Sequence, residues 1–303
     1  MPLKLDFASS RLSPEALSKT PMTFCDLEAK QALSAIIDLI IIETGDPAAR
    51  RAWQRNQLAN VLKFASERSA FWRKRIGARR IKDVELSALP VLRRDEVREQ
   101  VLSEGSLVRQ QDTLRASKHM SSGSTGSPVE FFVTDMNTRY NQVRMLTQYL
   151  MEGRDLSRNR TRIRLFKYEE VKAAGVDPRK GFTVTTTNDW LNSLGRLFAS
   201  GRNKTINYWH PNHAALLEEL SKHDIGYLIS LPSFVESLLS GGVDFLKANG
   251  TEVFMPLGEG ISEDLRQKFD AAGIPIRASY SCEELGRLGA ECATMPGYYH
   301  AAH

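Results

Sequence analysis

The sequence predicts an α/β fold entered through a helical N-terminal region, and three observations carry that expectation. From Thr113 onward, short β-type runs alternate with helical patterns, the arrangement of a sheet with at least partly parallel strands and crossover helices. Before that point the apolar residues recur at three- and four-residue spacing, with no strand pattern. The chain has 303 residues, 42% of them hydrophobic, which is enough to bury a sizeable core.

Taken in order, residues 27–76 are helix-like, with Leu58, Val61, Leu62 and Ala65 forming one apolar stripe. "TGDP" at 44–47 divides this region in two, because glycine and proline end one helix and Asp46 can cap the next. "LSAIIDLIIIE" at 33–43 reads as a buried helix; it carries Asp38 and falls short of the roughly 20 apolar residues of a membrane span. "ELSALPVLRRDEVREQ" predicts a loop through Pro90 and a helix from near Arg94. Strands are then expected at 129–134, 161–166, 225–230, 253–258 and 276–281, with helices at 137–152, 211–222, 232–249 and 261–272. No linker is long enough to separate independent domains, so residues 1–112 are expected as a helical part and 113–303 as the α/β part of one domain.

Composition narrows the function classes only a little. Lysine and arginine number 41 against 36 acids, a balance of +5 that suits an anionic small ligand as well as nucleic acid. "RTRIRLFK" at 160–167 places Arg160, Arg162 and Arg164 on one strand face, which alternation alone produces for a solvated face over a core. Tracking a phosphate backbone is the alternative for these cations, and it has no accompanying nucleic-acid motif. Three scattered cysteines point to a reducing compartment, and no apolar segment follows a basic start, so a cytoplasmic protein is expected. Cys282, Cys292, His300 and His303 do not have zinc-knuckle spacing.

"HMSSGSTGSPVEFFVTD" at 119–135 carries the chemistry. Ser121, Ser122, Gly123, Ser124, Thr125 and Gly126 combine hydroxyl donors with glycines that can turn successive N–H groups towards an anion. This is no Walker loop, since a strand rather than a lysine and a helix follows. Further on, "PLGEGISEDL" puts Gly258 and Glu259 at one strand end, with Ser262 as the cap of the next helix. "ASYSCEELG" puts Tyr280, Ser281 and Glu284 at another strand end. Ligands gather at the carboxyl ends of strands in such folds; a tyrosine face can stack on a purine, and a glutamate can bind Mg2+.

With "SAFWRKR" (69–75), "LPVLRRDEV" (89–97), "LPSFVESLL" (231–239) and "AECATMPGYYH" (290–300), these stretches resemble the phenylacetate-CoA ligase-like branch of the adenylate-forming superfamily. That superfamily includes acyl-CoA synthetases, luciferases and nonribosomal-peptide adenylation domains. The resemblance covers about 58–300 and implies the large N-terminal domain of that fold, with mixed sheets flanked by helices. It implies that a carboxylate, by analogy an aromatic one, attacks the α-phosphorus of ATP to give an acyl-adenylate and pyrophosphate. CoA or another acceptor then takes the acyl group.

By motif position, Ser121 to Gly126 would hold the phosphates, Gly258, Glu259, Tyr280 and Ser281 would surround the nucleotide, and Glu284 would bind Mg2+. His119, Thr125 and Glu284 would serve catalysis. ATP, Mg2+ and the acid are the implied partners, with CoA as co-substrate and neither nucleic acid nor membrane; a homodimer and a carrier-protein acceptor are left open.

Three departures stand out. Ser127 occupies the position of the loop lysine, and Glu283 that of a motif hydroxyl. The ribose-binding aspartate and small lid domain expected after the last motif have no counterpart before His303. The expectation for this chain alone is slow adenylation without thioester formation. The alternative is a catalytically weakened or non-catalytic nucleotide-binding relative.

Overall fold

The computed structural model describes residues 27–103, 116–120, 129–167, 171, 181–209, 213–239, 242–282, 284–292 and 294–301. The chain opens with helices α1 (Leu27–Thr44), α2 (Pro47–Arg68), α3 (Ala70–Ile76) and α4 (Arg94–Ser103). Asp46 caps α2 as expected: its Oδ2 accepts from Ala49 N at 2.8 Å, and Pro47 fills the first helical position, where no amide donor is needed. Ser69 caps α3 by accepting from Trp72 N at 3.2 Å.

Leu62, Ile76 and Val84 close a small core under these helices, with Leu58 packed against it. Val61 does not join the stripe expected of it and is 62% exposed. Arg75 ties the "SAFWRKR" and "LPVLRRDEV" stretches together. Its guanidinium donates to Glu96 Oε1 at 3.0 Å, Pro90 O at 2.7 Å and Val91 O at 2.6 Å, and lies over the Phe71 ring.

β1 (Ala116–Met120) and β2 (Glu130–Thr134) pair antiparallel, with Met120 opposite Glu130. α5 (Asp135–Met151) begins in a Thr134/Asn137 capping box. The main sheet is built from β3 (Arg160–Leu165), β4 (Phe182–Thr187), β5 (Asn203–Tyr208), β6 (Gly226–Ser230) and β7 (Thr251–Pro256), in the order β4-β5-β3-β6-β7. β5, β3, β6 and β7 run parallel, and β4 is an antiparallel edge. The crossovers are α6 (His213–Ser221), α7 (Pro232–Leu238), α8 (Asp244–Ala248) and α9 (Glu263–Ala271). β8 (Ser279–Cys282), β9 (Gly286–Glu291) and β10 (Tyr299–Ala301) form a second antiparallel sheet.

Both faces of the main sheet are covered, as parallel strands require. On one face Ile163, Ile206, Leu228 and Phe254 pack against α6 to α9 through Leu216, Leu220, Phe234, Val235, Leu265 and Phe269. On the other, Tyr227 and Met255 meet Ile36 and Leu39 of α1, Leu146 and Tyr149 of α5, and Trp190.

Thr161 and Ile163 of β3 are buried and Arg164 is exposed, as the alternation predicts, but Arg160 departs from the expected solvated arginine face. Arg160 lies 5.3 Å from the Trp190 ring centroid and donates to Asn203 Oδ1 at 3.0 Å, and burial lowers its pKa. It is engaged in the fold, which leaves it poorly placed to track nucleic acid.

Other expectations shift as well. The helix expected over 232–249 is two, α7 and α8, because Gly242 sits at φ +108°, a conformation that no helix contains. The apolar run in α1 is helical but only partly buried: Ile36 and Leu39 face the core, while Ile37 and Ile41 are exposed. β1, β4, β5, β9 and β10 are additional strands that the β-type runs do not announce. The last predicted strand is shorter: residue 276 makes only an isolated parallel bridge to Phe254, and the strand proper starts at Ser279. Among the described residues no helix is long and apolar enough to cross a membrane.

Candidate functional site

Of the site residues expected from sequence, Gly258, Glu259 and Tyr280 follow two segments that the backbone pairs at the carboxyl edge of the main sheet. Phe254 of β7 pairs in parallel with Ile276, through Phe254 N to Pro275 O at 3.0 Å and Arg277 N to Phe254 O at 2.9 Å. Gly258 and Tyr280, each four residues farther along, therefore leave this pairing at the same end. Leu257 N donates to Ser230 O at 3.0 Å, which brings the end of β6 alongside.

Gly258 has φ +76°, and a Cβ there would stand 3.3 Å from Leu231 Cδ2. The chain turns at this point at little cost only because the residue is glycine. Glu259 then reaches back to α7, where its Oε2 accepts from Ser233 N at 3.0 Å. That carboxylate is thus fixed on a helix start, joining the "LPSFVESLL" and "GEGIS" stretches. Ser262 caps α9 as expected, accepting from Leu265 N at 3.2 Å.

Tyr280 is 66% exposed on β8, so its ring face is open to stacking. Ser281 beside it is also exposed. Glu284 is exposed in the β8–β9 connection, and Cys282 interacts with it; burial first, and this carboxylate second, push the Cys282 thiol up. Among the described residues no three His, Cys, Asp or Glu side chains form a metal cage. The exposed Glu284 carboxylate fits Mg2+, which characteristically takes one or two protein carboxylates together with substrate phosphates and waters.

His119 lies on β1, its ring stacked on Phe131 at 5.9 Å and its Nε2 3.0 Å from Ser117 Oγ. Among the described residues, no hydrogen bond or ring contact joins it to Tyr280 or Glu284. Residues 121–128, with Ser121 to Gly126 and Ser127, lie outside the described residues, as do Glu283 and His303.

Two polar groups at this edge have no motif to mark them in the sequence. Ser230 Oγ and Tyr208 Oη, both buried at the ends of parallel strands, have no hydrogen-bond partner among the described residues. Tyr208 belongs to a ring cluster with Phe234 at 5.2 Å and His213 at 6.2 Å. In "NKTINY" the structure buries Lys204, Ile206 and Tyr208 alternately, but with only Ile206 and Tyr208 apolar on that face the sequence signal for the strand is weak.

No protein-family model matches the sequence, and no curated protein matches it. Among solved structures, the chain is similar to a 2-hydroxyisobutyryl-CoA ligase in an open conformation, in complex with 2-HIB-AMP and CoA. The TM-score is 0.60 at 14% identity, over 84% of this chain and 55% of that one. The O-succinylbenzoate coenzyme A synthetase (MenE) of Bacillus subtilis, in complex with AMP, matches at TM-score 0.39 and 15% identity, over 58% of this chain and 32% of that one. Apo MatB of Rhodopseudomonas palustris matches at TM-score 0.38 and 12% identity, over 60% and 32%. The chain thus spans 55% of the first of these proteins. At these identities the likeness speaks for architecture, and it rests on the first structure: the chain has the fold of the large N-terminal domain of the adenylate-forming ligases, a mixed α/β structure flanked by helices.

Proposed function

We propose that this chain activates a carboxylic acid with ATP, forming an acyl-adenylate and releasing pyrophosphate, with CoA or another acceptor taking the acyl group afterwards. The observation that carries this reading is the parallel pairing of Phe254 with Ile276. In a chain that shares its fold with a CoA ligase, it directs "GEGIS" and "YSCEE" to one edge. The helical part, 1–112, and the α/β part, 113–303, serve as one adenylation domain.

In this reading Tyr280 offers its open face to adenine, with Gly258, Glu259 and Ser281 beside it. Glu259 acts mainly through its bond to Ser233, which holds α7 against the nucleotide edge. Ser121 to Gly126, between the paired strands β1 and β2, donate hydroxyl and amide hydrogens to the phosphates, with Thr125 at the scissile group and His119 near the acyl oxygen. Glu284 would hold Mg2+, and the ion would supply positive charge against the phosphates. Such positioned donors are worth about 10² to 10³ in rate each.

The acid is proposed to be aromatic, because Tyr208, Phe234 and His213 supply a ring-lined wall beside the same strand ends, with Tyr208 Oη and Ser230 Oγ, unpartnered among the described residues, to orient a polar substituent.

The test is acid-dependent exchange of labelled pyrophosphate into ATP over a panel of aryl and aliphatic acids, together with stabilisation by ATP. Glu284→Gln is expected to lower exchange by about 10²-fold, and Tyr280→Ala to raise the KM for ATP while sparing the fold. No exchange with any acid and no ATP-dependent stabilisation would overturn the proposal. A second reading, nucleotide binding without acid turnover, draws support from the engagement of Glu259 by Ser233 and predicts ATP stabilisation with no exchange.

A further inference from the structure

A cavity of about 500 Å³ lies between α1, α2, α5 and the paired strands β9 and β10, and none of Gly258, Glu259, Tyr280 or Glu284 lines it. Four of its walls are basic: Arg50, Arg144, Arg287 and His300. Three acids also reach it, and each of them is engaged. Glu152 accepts from Arg154 Nε and Nη2, each at 2.5 Å, and Glu291 accepts from Arg266 Nη2 at 2.6 Å. The third, Glu43, receives Arg50 Nη1 on its carbonyl oxygen at 3.3 Å.

What distinguishes this cavity is a set of unmatched polar atoms on its lining. Arg144 Nε and Arg287 Nη1 are buried donors with no hydrogen-bond partner among the described residues, and Gln148 Oε1 is a buried acceptor in the same condition. Arg144 and Gln148 stand one turn apart on α5 and so share a face. Arg287 stands on β9 across the cavity. Burial lowers its pKa, yet a guanidinium remains charged in a protein. Buried donors of this kind rarely go unmet in a native structure. Two charged donors and one neutral acceptor around a half-open pocket match a ligand that presents both an oxyanion and a hydroxyl.

We propose that this cavity binds a small hydroxyl-bearing oxyanion, of the class of hydrogen phosphate or a hydroxycarboxylate, at a site separate from the proposed nucleotide edge. Arg144 and Arg287 take its anionic oxygens, and Gln148 Oε1 accepts from its hydroxyl.

The experiment is calorimetric titration of the full chain with inorganic phosphate and, separately, with malate, in chloride buffers of constant ionic strength. Saturable binding is expected, weakened about tenfold or more by Arg144→Met and by Gln148→Leu, since hydrogen bonds to charged groups contribute on that scale. Arg287→Met should act in the same direction; should that variant fail to fold, the two α5 variants decide. Saturation by phosphate alone or malate alone supports the site and identifies the source of the anion. Absence of saturable binding by both, or affinities unchanged in both Arg144→Met and Gln148→Leu, would overturn the proposal. The second of these outcomes assigns any binding to another site, the proposed phosphate loop included.

Discussion

Glu291 holds the edge of the candidate site together, and its removal should show how much. The side chain is 2% exposed at the end of β9 and accepts three hydrogen bonds. They come from Arg266 Nη2 at 2.6 Å, Gly297 N at 2.7 Å and Ala278 N at 3.1 Å. It therefore clamps α9, the loop before β10 and the segment entering β8 onto one carboxylate. Hydrogen bonds to a charged group contribute about 1.5–3 kcal/mol each. Arg266 is 22% exposed and can turn partly towards water when its partner is lost. The expected cost of Glu291→Ala is therefore about 3–5 kcal/mol, the range for breaking one side of a buried pair. Glu291→Gln, which keeps volume and one acceptor oxygen, should cost about 1–3 kcal/mol. Urea denaturation reads both as shifts in midpoint at constant slope. Hydrogen exchange should show the amides of Ala278 and Gly297 losing protection first. A cost below about 1 kcal/mol for Glu291→Ala, or equal costs for the two variants, would refute the reasoning from buried acceptors.

Arg75→Leu should detach the segment around Pro90 from α3 and lower stability by about 2–4 kcal/mol, read by denaturation, since two carbonyls and a carboxylate lose their donor. In the intact protein, the Arg93 amide first and the Arg75 guanidinium second hold the Glu96 carboxyl below its ordinary range. The stability linked to Glu96 is therefore present above that range and lost as pH falls through the lowered value, a dependence that Arg75→Leu should flatten. Hydrogen bonds from Thr294 first, with help from His300, hold the Cys292 thiol at about 6, whereas burial pushes Cys282 up. Alkylation followed by mass spectrometry should give a Cys292 rate profile with its midpoint near 6, moved upward by Thr294→Val; an unperturbed midpoint in both proteins would contradict the geometry. Gly258→Ala should cost about 1–2 kcal/mol from the left-handed backbone, measurable by thermal unfolding, with a further loss of ATP-dependent stabilisation if this turn borders the nucleotide.

The legible elements of this chain are those whose signals are local. The cap at Asp46, the cap at Ser262, the break at 44–47 and the apolar cores of β3, β6 and β7 all follow from spacing, turn residues and side-chain oxygens near their own backbone. β4, with its run "FTVTTT", and β5, with "NKTINY", carry too few apolar residues to announce themselves, and they owe their place to pairing with each other and with β3. Likewise "GG" at 241–242 is only a composition signal, and φ +108° at Gly242 turns it into a helix break.

The sequence by itself determined the alternation of strands and helices, the order of the motif stretches and the residue types at the candidate site. Each depends on interactions within a few residues. Only the tertiary structure decided which strand ends adjoin, through the pairing of Phe254 with Ile276, and that Glu259 spends one carboxylate oxygen on α7. It also decided that Arg160 of β3 lies against Trp190, and that Arg144, Gln148 and Arg287 line one cavity. These are contacts between residues far apart in the chain, set by the register of the sheet and by which faces the helices cover, and no local pattern encodes them.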